Sequence, residues 1–476
     1  MKKKLNLAVS LLLLSSSSWA LPIEGDRVYT GDQVTNTVSV INPVTNTLLG
    51  QIKLGNVRPD VLSPIYKGEI NVHGLGFSPD HKTLLAVSTG SNAVSFIDTE
   101  TNLVKGTVYV GRSPHEGFFT PDGKEAWVVV RGENYISVIN PKTFKEIRQI
   151  KTSTGPGMII FNPNGKEAYV CNSFTPVFEI IDMKKNKVVK KIDVVSPFSP
   201  FLQITPDHKE IWLTHKDIGK VTRIDLNTKK VASVIDTGFI TNHLGFAKTS
   251  KGVLAYVTVG GENAVKVYTT EAAAKLVTTI SVGALPHGIW PSDDGSRIYV
   301  GLENGDAVEV IDTESNSVVK RISIGGAPQA LVYVSHARTN GVNEEKNLVA
   351  LADKPENLEI RLKPKTGEGK GFIAVRNLGL IDSMDVSLFK LKPNSLYKVF
   401  LVNSSDNSKE NNRLLAVLKT NEKGAANTTA ISPIRQFEKS SNSKSQNSKV
   451  YIFLENDTTS DSLDLSKAVF VGEVSN

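Results

Sequence analysis

The sequence predicts an all-β chain: a seven-bladed β-propeller followed by a smaller, β-sandwich-like domain. Three observations predict it. A proline-aspartate turn recurs at a nearly constant step, an alternating strand occurs seven times in the same stretch, and beyond it the period gives way to unrelated β-type runs.

Taken in chain order, the first element is a secretory signal. Lys2, Lys3 and Lys4 precede an apolar run from Leu5 to Leu14 that is too short to span a bilayer. Ser18 and Ala20 suit the minus-three and minus-one positions of a cleavage site, so residues 1–20 read as a signal peptide and the mature chain as starting at Leu21. The expected location is the periplasm or the exterior of the cell, with no integral membrane segment after cleavage. The single cysteine, Cys171, cannot close an intrachain disulfide, and its apolar run from Ala168 makes it a buried strand residue. The 55 basic and 48 acidic residues give a net charge of +7, or +4 once the three signal lysines are gone. That charge is spread over loops and not clustered with aromatic residues, which excludes a nucleic-acid partner.

The repeat comes next. Phe77-Ser78-Pro79-Asp80 returns as Phe119-Thr120-Pro121-Asp122, Phe161-Asn162-Pro163-Asn164 and Ile204-Thr205-Pro206-Asp207, with degenerate copies from Phe246 and Pro291, at steps of 42, 42, 43, 42 and 45 residues. Each copy is followed by a short β-type run, a polar turn and an alternating strand such as Ala93 to Ile97, Tyr135 to Ile139 or Ala307 to Ile311. Four short strands every forty-odd residues is the period of a propeller blade. The run from Arg27 to Thr30 begins with the second strand of a blade, while Gln329 to Val334 matches a first strand with no second behind it. Pairing these two closes the ring and removes exposed sheet edges. The propeller is thus expected over residues 21–334, closed by 329–334, with a polar linker at 335–347 and a β-rich, Ig-like sandwich at 348–476.

Through Tyr256-Val257-Thr258-Val259, Tyr169-Val170-Cys171-Asn172 and Tyr299-Val300-Gly301-Leu302, the stretch from Asp26 to Val334 resembles the YVTN-type propeller repeat family. The resemblance implies the fold and leaves the activity open, since related propellers include lactonases, haem-carrying nitrite reductases and surface proteins. One cysteine leaves no Cys-x-x-Cys-His attachment for haem, and the chain has no Gly-x-Ser-x-Gly elbow, phosphate-binding glycine loop or His-Glu-x-x-His motif.

One position in the repeat carries chemistry. Four residues before each leading residue stand His73, His115, Gly157, Pro200, Asn242, His287 and, by matching Pro328-Gln329 to Pro286-His287, Gln329. His243 lies beside the equivalent position, and a small shift in the sixth blade would present it instead. First strands line the channel of a propeller, so these side chains converge although some 42 residues separate them. Three readings stand: imidazoles that bond a neighbouring blade's backbone, a polar ligand or proton-transfer site, and a transition-metal ion held by His73, His115, His287 and His243. Glu116 is either an orienting or catalytic carboxylate or an exposed loop residue. The loop from Asn56 to Val72 is longer than its counterparts and either shields a blade edge or sets Arg58, Asp60, Tyr66 and Glu69 to line or cover a pocket, together with Asn242 and Gln329. The turn residues His81 and His208 belong on the opposite face, and His215 with Lys216 is a weaker channel-face pair.

These features lead to an exported binding protein that presents a site for a small molecule, a metal or a protein partner on its channel face. Two alternatives stand beside it: a metal-dependent hydrolase or lactonase with Glu116 as base, and a cell-surface adhesion or envelope component. The oligomeric state is not legible in the sequence.

Overall fold

The structure, a computed structural model, describes residues 22–54, 71–339, 346–351, 358–377, 382–403, 412–432, 448–458 and 463–473. The signal-like segment and the part of the long loop that carries Arg58, Asp60, Tyr66 and Glu69 lie outside the described residues. Among the described residues, no helix is long and apolar enough to cross a membrane.

Seven four-stranded antiparallel sheets form the seven blades of a propeller. Blade 1 is built, from the channel outward, of Pro328–Val334, Arg27–Asp32, Thr37–Asn42 and Thr47–Lys53. Arg27 pairs with Val334 and Thr30 with Leu331, so the two ends of the repeat meet in one sheet. The innermost strands of blades 2 to 7 are Val72–Phe77, Pro114–Phe119, Pro156–Phe161, Leu202–Ile204, Thr241–Thr249 and Pro286–Pro291.

Second strands are covered on both faces by adjacent blades, so they run apolar without alternation: Leu84 to Val87, Trp127 to Val130 and Ala168 to Cys171 are all buried. Large rings carry blade-to-blade contact. Trp127 meets Phe161 and Trp212 meets Phe246 edge to face at centroid distances of 5.3 and 5.4 Å. Each indole N–H donates at 2.9 Å to a carboxylate two residues earlier, Glu125 or Glu210, which satisfies the polar end of a buried ring.

The turns between first and second strands repeat one hydrogen-bond template on the face away from the channel mouth. Thr120 Oγ1 donates to Asp122 at 2.7 Å and accepts from the Glu125 N–H at 3.2 Å, while the Asp122 carboxylate accepts from the Lys124 N–H. Thr205 with Asp207 and Ser292 with Asp294 do the same. His81 and His208 occupy the left-handed corner of such turns, with φ of 61° and 58°, where other blades use Gly123, Gly165 and Gly295.

After blade 1 closes, the stretch read as a linker is bound along its described parts. The His81 Nδ1–H donates to the Ser335 carbonyl at 2.6 Å, Asp26 accepts from the His336 N–H, and the Arg338 N–H donates to Gly25. Val349 then forms an antiparallel bridge with Gln51 on the outermost strand of blade 1.

The C-terminal domain is a smaller β domain. Its eight strands form one antiparallel sheet, in the order Asn412–Lys419, Leu396–Asn403, Ser448–Leu454, Phe470–Glu473, Leu358–Pro364, Lys370–Asn377, Asp382–Phe389 and Ala426–Ser432. The sheet curls until its two edge strands approach each other, around a core that includes Ile360, Val386, Val399, Ile452 and Phe470. An Ig-like pair of facing sheets is therefore replaced by a near-closed barrel. Alternation along the strands fits either arrangement, because both enclose one apolar face.

This domain stands over the channel mouth on blades 5 to 7. Phe372 packs with Ile240, Ala284 and Leu285, and Arg376 reaches Asp306 at 2.6 Å and Asn304 at 3.1 Å in a buried contact. At the rim of the contact, Arg321 pairs with Glu359 at 3.4 Å and Lys423 Nζ donates to the Ile218 carbonyl.

Candidate functional site at the channel mouth

The chain enters six inner strands through a residue in the left-handed region: Asn71, Ser113, Gly155, Ile240, Leu285 and Ala327. The residue two positions later is His73, His115, Gly157, Asn242, His287 or Gln329. Each of these stands in a β-bulge, where the pairing register with the second strand slips. A bulge re-aims the side chain it carries. In blade 6 it spans both Asn242 and His243, between the pairs Thr241–Val259 and Leu244–Val257, and this slip brings His243 into the channel beside Asn242.

The four histidines form a chain of ring contacts. His115 touches His73 at a centroid distance of 4.1 Å, His73 lies 6.3 Å from His287, and His287 lies 4.5 Å from His243, which stacks on Phe201 at 3.9 Å. Blade 1 stands between His287 and His73 in the ring, yet its Gln329 does not hold them apart. Close approach of the inner strands explains the glycines that follow His73 and His287. A Cβ on Gly74 would lie 2.2 Å from the His115 carbonyl oxygen, and one on Gly288 would lie 2.5 Å from that of Gln329.

Two imidazoles staple successive blades. The His115 Nδ1–H donates to the Gly157 carbonyl at 2.7 Å, and the His287 Nδ1–H donates to that of Gln329 at 3.0 Å. Asn242 makes the matching contact to the Pro286 carbonyl at 2.8 Å. Because a carbonyl only accepts, the neutral tautomer at His115 and His287 is fixed, and each Nε2 is left with a lone pair. His73 Nδ1 and His243 Nε2 are buried without a hydrogen-bond partner. Burial, reinforced by the charges of Arg131 and Lys216, pushes His73 down to about 3. Burial likewise holds His115, His243 and His287 well below the usual histidine range, so all four are neutral near pH 7.

Glu116 is 2 % exposed, which corrects its reading as an exposed loop carboxylate. The bulge turns it inward, one oxygen accepting from the Leu75 N–H and Oε1 unpartnered. Burial pushes its carboxyl well above the ordinary carboxylate range, which favours the protonated form and makes it a better donor than an exposed carboxylate. His215 is a core residue, with Nδ1 at 2.9 Å from Ser199 Oγ and Nε2 at 2.7 Å from Thr222 Oγ1. Cys171 is fully buried and pushed up to about 12 by that burial. Among the described residues, no group of three His, Cys, Asp or Glu side chains is already drawn together as a metal cage.

A second ring lies above the first, and of its members the sequence singled out only Lys216, as the weaker partner of His215. The residue that follows each second strand is Gln33, Thr89, Arg131, Ser173, Lys216, Gly260 or Glu303. From Thr89 on, these recur at steps of 42 to 44 residues, and that regularity is the signal that would have found them. The Arg131 guanidinium lies over Phe198 at 5.3 Å and Phe174 at 5.5 Å. Burial lowers Arg131 and Lys216 and raises Glu303, whose carboxylate the charges of Lys216 and Arg376 favour. Gln329 bonds Glu303, joining the two rings. Between this ring and the C-terminal domain lies a cavity of about 340 Å³, walled by Phe198, Lys216, Phe239, Leu285, Glu303 and Asn304 below and by Asp385, Asn427 and Thr429 above.

Residues 125–344 match the family model of the YNCE-like beta-propeller. Among solved structures, a chain of Kuenenia stuttgartiensis hydrazine synthase superimposes with a TM-score of 0.50 at 21 % identity, over 54 % of this chain and 88 % of that one. A functionally unknown protein from Desulfotomaculum acetoxidans DSM 771 gives 0.55 at 14 % identity, over 65 % of this chain and 99 % of that one. At such identities the likeness shows the fold alone. No curated protein matches the chain by sequence. Repeat, blade order and family match together show a seven-bladed β-propeller, similar to the YNCE-like beta-propeller over residues 125–344 and consistent with the YVTN-type repeat.

Proposed function

We propose that this is an exported binding protein that holds a small molecule at the covered channel mouth. One observation carries the reading: the cavity under the C-terminal domain is edged by buried polar atoms without partners, Glu303 Oε2 and Asn304 Nδ2. Unpartnered buried polar atoms cost about 1–3 kcal/mol each, and a bound ligand offsets that cost. The volume lies at the low end of the range for small-molecule pockets. Native mass spectrometry of the mature protein from its exporting host should show a retained small molecule, and Thr429→Trp, which fills the cavity from an exposed wall position, should abolish retention with the fold intact. Retention unchanged by Thr429→Trp would remove the cavity from consideration. Export itself is tested by the intact mass of protein from the periplasmic or medium fraction, expected to begin at Leu21.

A second reading, a metal-dependent hydrolase, is favoured by the donor set. His115 and His287 each donate one ring N–H to a backbone carbonyl and keep the other nitrogen free, the arrangement usual for metal-bound imidazoles. Metal analysis of untagged protein decides it: equal, near-zero content in the native chain and in a His115→Ala/His287→Ala double variant removes this reading.

A further inference from the structure

The second ring of the channel mouth carries two cations that form no salt bridge with a described carboxylate. Arg131 is held between two phenylalanine rings, its Nε is buried with no hydrogen-bond partner, and it forms no salt bridge with a described carboxylate. Lys216 forms none either, although Glu303 shares its cavity. The other two carboxylates on that cavity are already engaged. Asp217 accepts from the Ser196 hydroxyl at 2.7 Å and Asp385 from that of Thr429 at 2.5 Å. Arg131 lies over Phe198, which walls the same cavity as Lys216, and the charges of both cations act on His73, so they stand on the imidazole side of that cavity from blades 3 and 5. A guanidinium gripped on its faces by aromatic rings still offers its edge, and that edge fits a planar carboxylate. Below it, the Nε2 atoms of His115 and His287 only accept, so they read O–H or N–H groups.

On the reading of a small-molecule site at this mouth, we infer that the ligand is a hydroxy acid, its carboxylate taken by Arg131 and Lys216 and its hydroxyl groups donating to the histidine nitrogens beneath. An uncompensated cation selects against neutral analogues, and acceptor-only imidazoles select against acids without a hydroxyl, because each mismatch leaves a partly buried polar group unpaired.

The test is titration calorimetry on the untagged mature chain with matched probes: malate against succinate, lactate against propionate, gluconate against glucose, and inorganic phosphate. At least one hydroxy acid is expected to bind at least tenfold tighter than its matched partner. Arg131→Gln should weaken that binding at least thirtyfold, Arg131→Lys less, and Lys216→Gln several-fold, with thermal midpoints close to the native chain's. Glucose binding that is lost in Thr429→Trp but indifferent to Arg131→Gln would keep the site and overturn the ligand's acidity. Phosphate binding as tightly as the best acid would overturn the carboxylate assignment, and equal affinity within every matched pair would overturn the role of the imidazoles. If none of the probes binds, the hydroxy-acid inference fails, while retention of another molecule in native mass spectra still supports the cavity.

Discussion

The two faces of the propeller use the same repeat for opposite ends. On the turn face, the leading Ser or Thr hydroxyl and the Asp carboxylate of the turn are matched to each other and to backbone N–H groups in blades 3, 5 and 7, with Asp294 Oδ2 and Ser296 Oγ the unmatched atoms of that template among the described residues. On the channel face, His73 Nδ1, Glu116 Oε1, Arg131 Nε, Ser173 Oγ, His243 Nε2, Glu303 Oε2 and Asn304 Nδ2 are buried and unmatched. A fold that satisfies polar groups so regularly at one end has the means to do so at the other. The unmatched groups therefore mark where selection has favoured something other than stability.

Four measurements break or sharpen this contrast. The largest effect is expected on the turn side of blade 5, where Arg223 is buried, grips Glu210 through two contacts of 2.9 Å and donates to the carbonyls of residues 270–272 in blade 6. Arg223→Ala should cost about 3 kcal/mol in urea unfolding, since it strands a partly buried carboxylate; a loss under about 1 kcal/mol would mean the pair is solvated.

The next effect is a pH dependence from the channel side. His73 titrates near 6.5 when unfolded and at about 3 when folded, so the unfolded chain binds more protons between these values. The stability it contributes is fully present above pH 6.5 and is lost as the pH falls toward 3, at up to about 1.4 kcal/mol per pH unit. Urea midpoints at pH 7, 5.5 and 4.5 should fall more steeply for the native chain than for His73→Asn, and parallel curves would show an imidazole that titrates freely.

The third and fourth measurements delete one hydroxyl from each face. Thr120→Val removes both a donor and an acceptor from a complete turn and should cost about 1 kcal/mol. Ser173→Ala deletes a buried hydroxyl that has no hydrogen-bond partner and should stabilise the chain, by about 1 kcal/mol. Equal losses for the two would erase the distinction between the faces.

What the sequence made legible follows the same division. The turn face was readable because its chemistry is local: Ser, Thr, Pro, Asp and Gly act within six residues, so their recurrence marks every blade. The histidine position was readable because the bulge keeps one count from turn to channel in most blades. His243 joins the site through the blade 6 bulge, and Glu116 is buried by the same kind of slip, which only strand pairing specifies. Arg131 and Glu303 were hidden, and Lys216 was seen only as a weak companion of His215, because their blade equivalents include Ser173 and Gly260, so no residue type repeats there. The C-terminal domain's place over the mouth rests on Phe372 and Arg376 meeting residues some 70 to 130 positions away, which no local period encodes.

The pairing of Arg27–Asp32 with Pro328–Val334 also sets a schedule for the chain's assembly. Blade 1 cannot be completed until some three hundred residues have followed its second strand, so the ring stays open through most of synthesis. A chain cut short before residue 328 would expose the edge of its first strand, and a neighbouring truncated copy would be the nearest substitute for the missing one. The step that gathers the histidines around one axis is thus the last join of the ring, and a half-made molecule has no channel mouth at all.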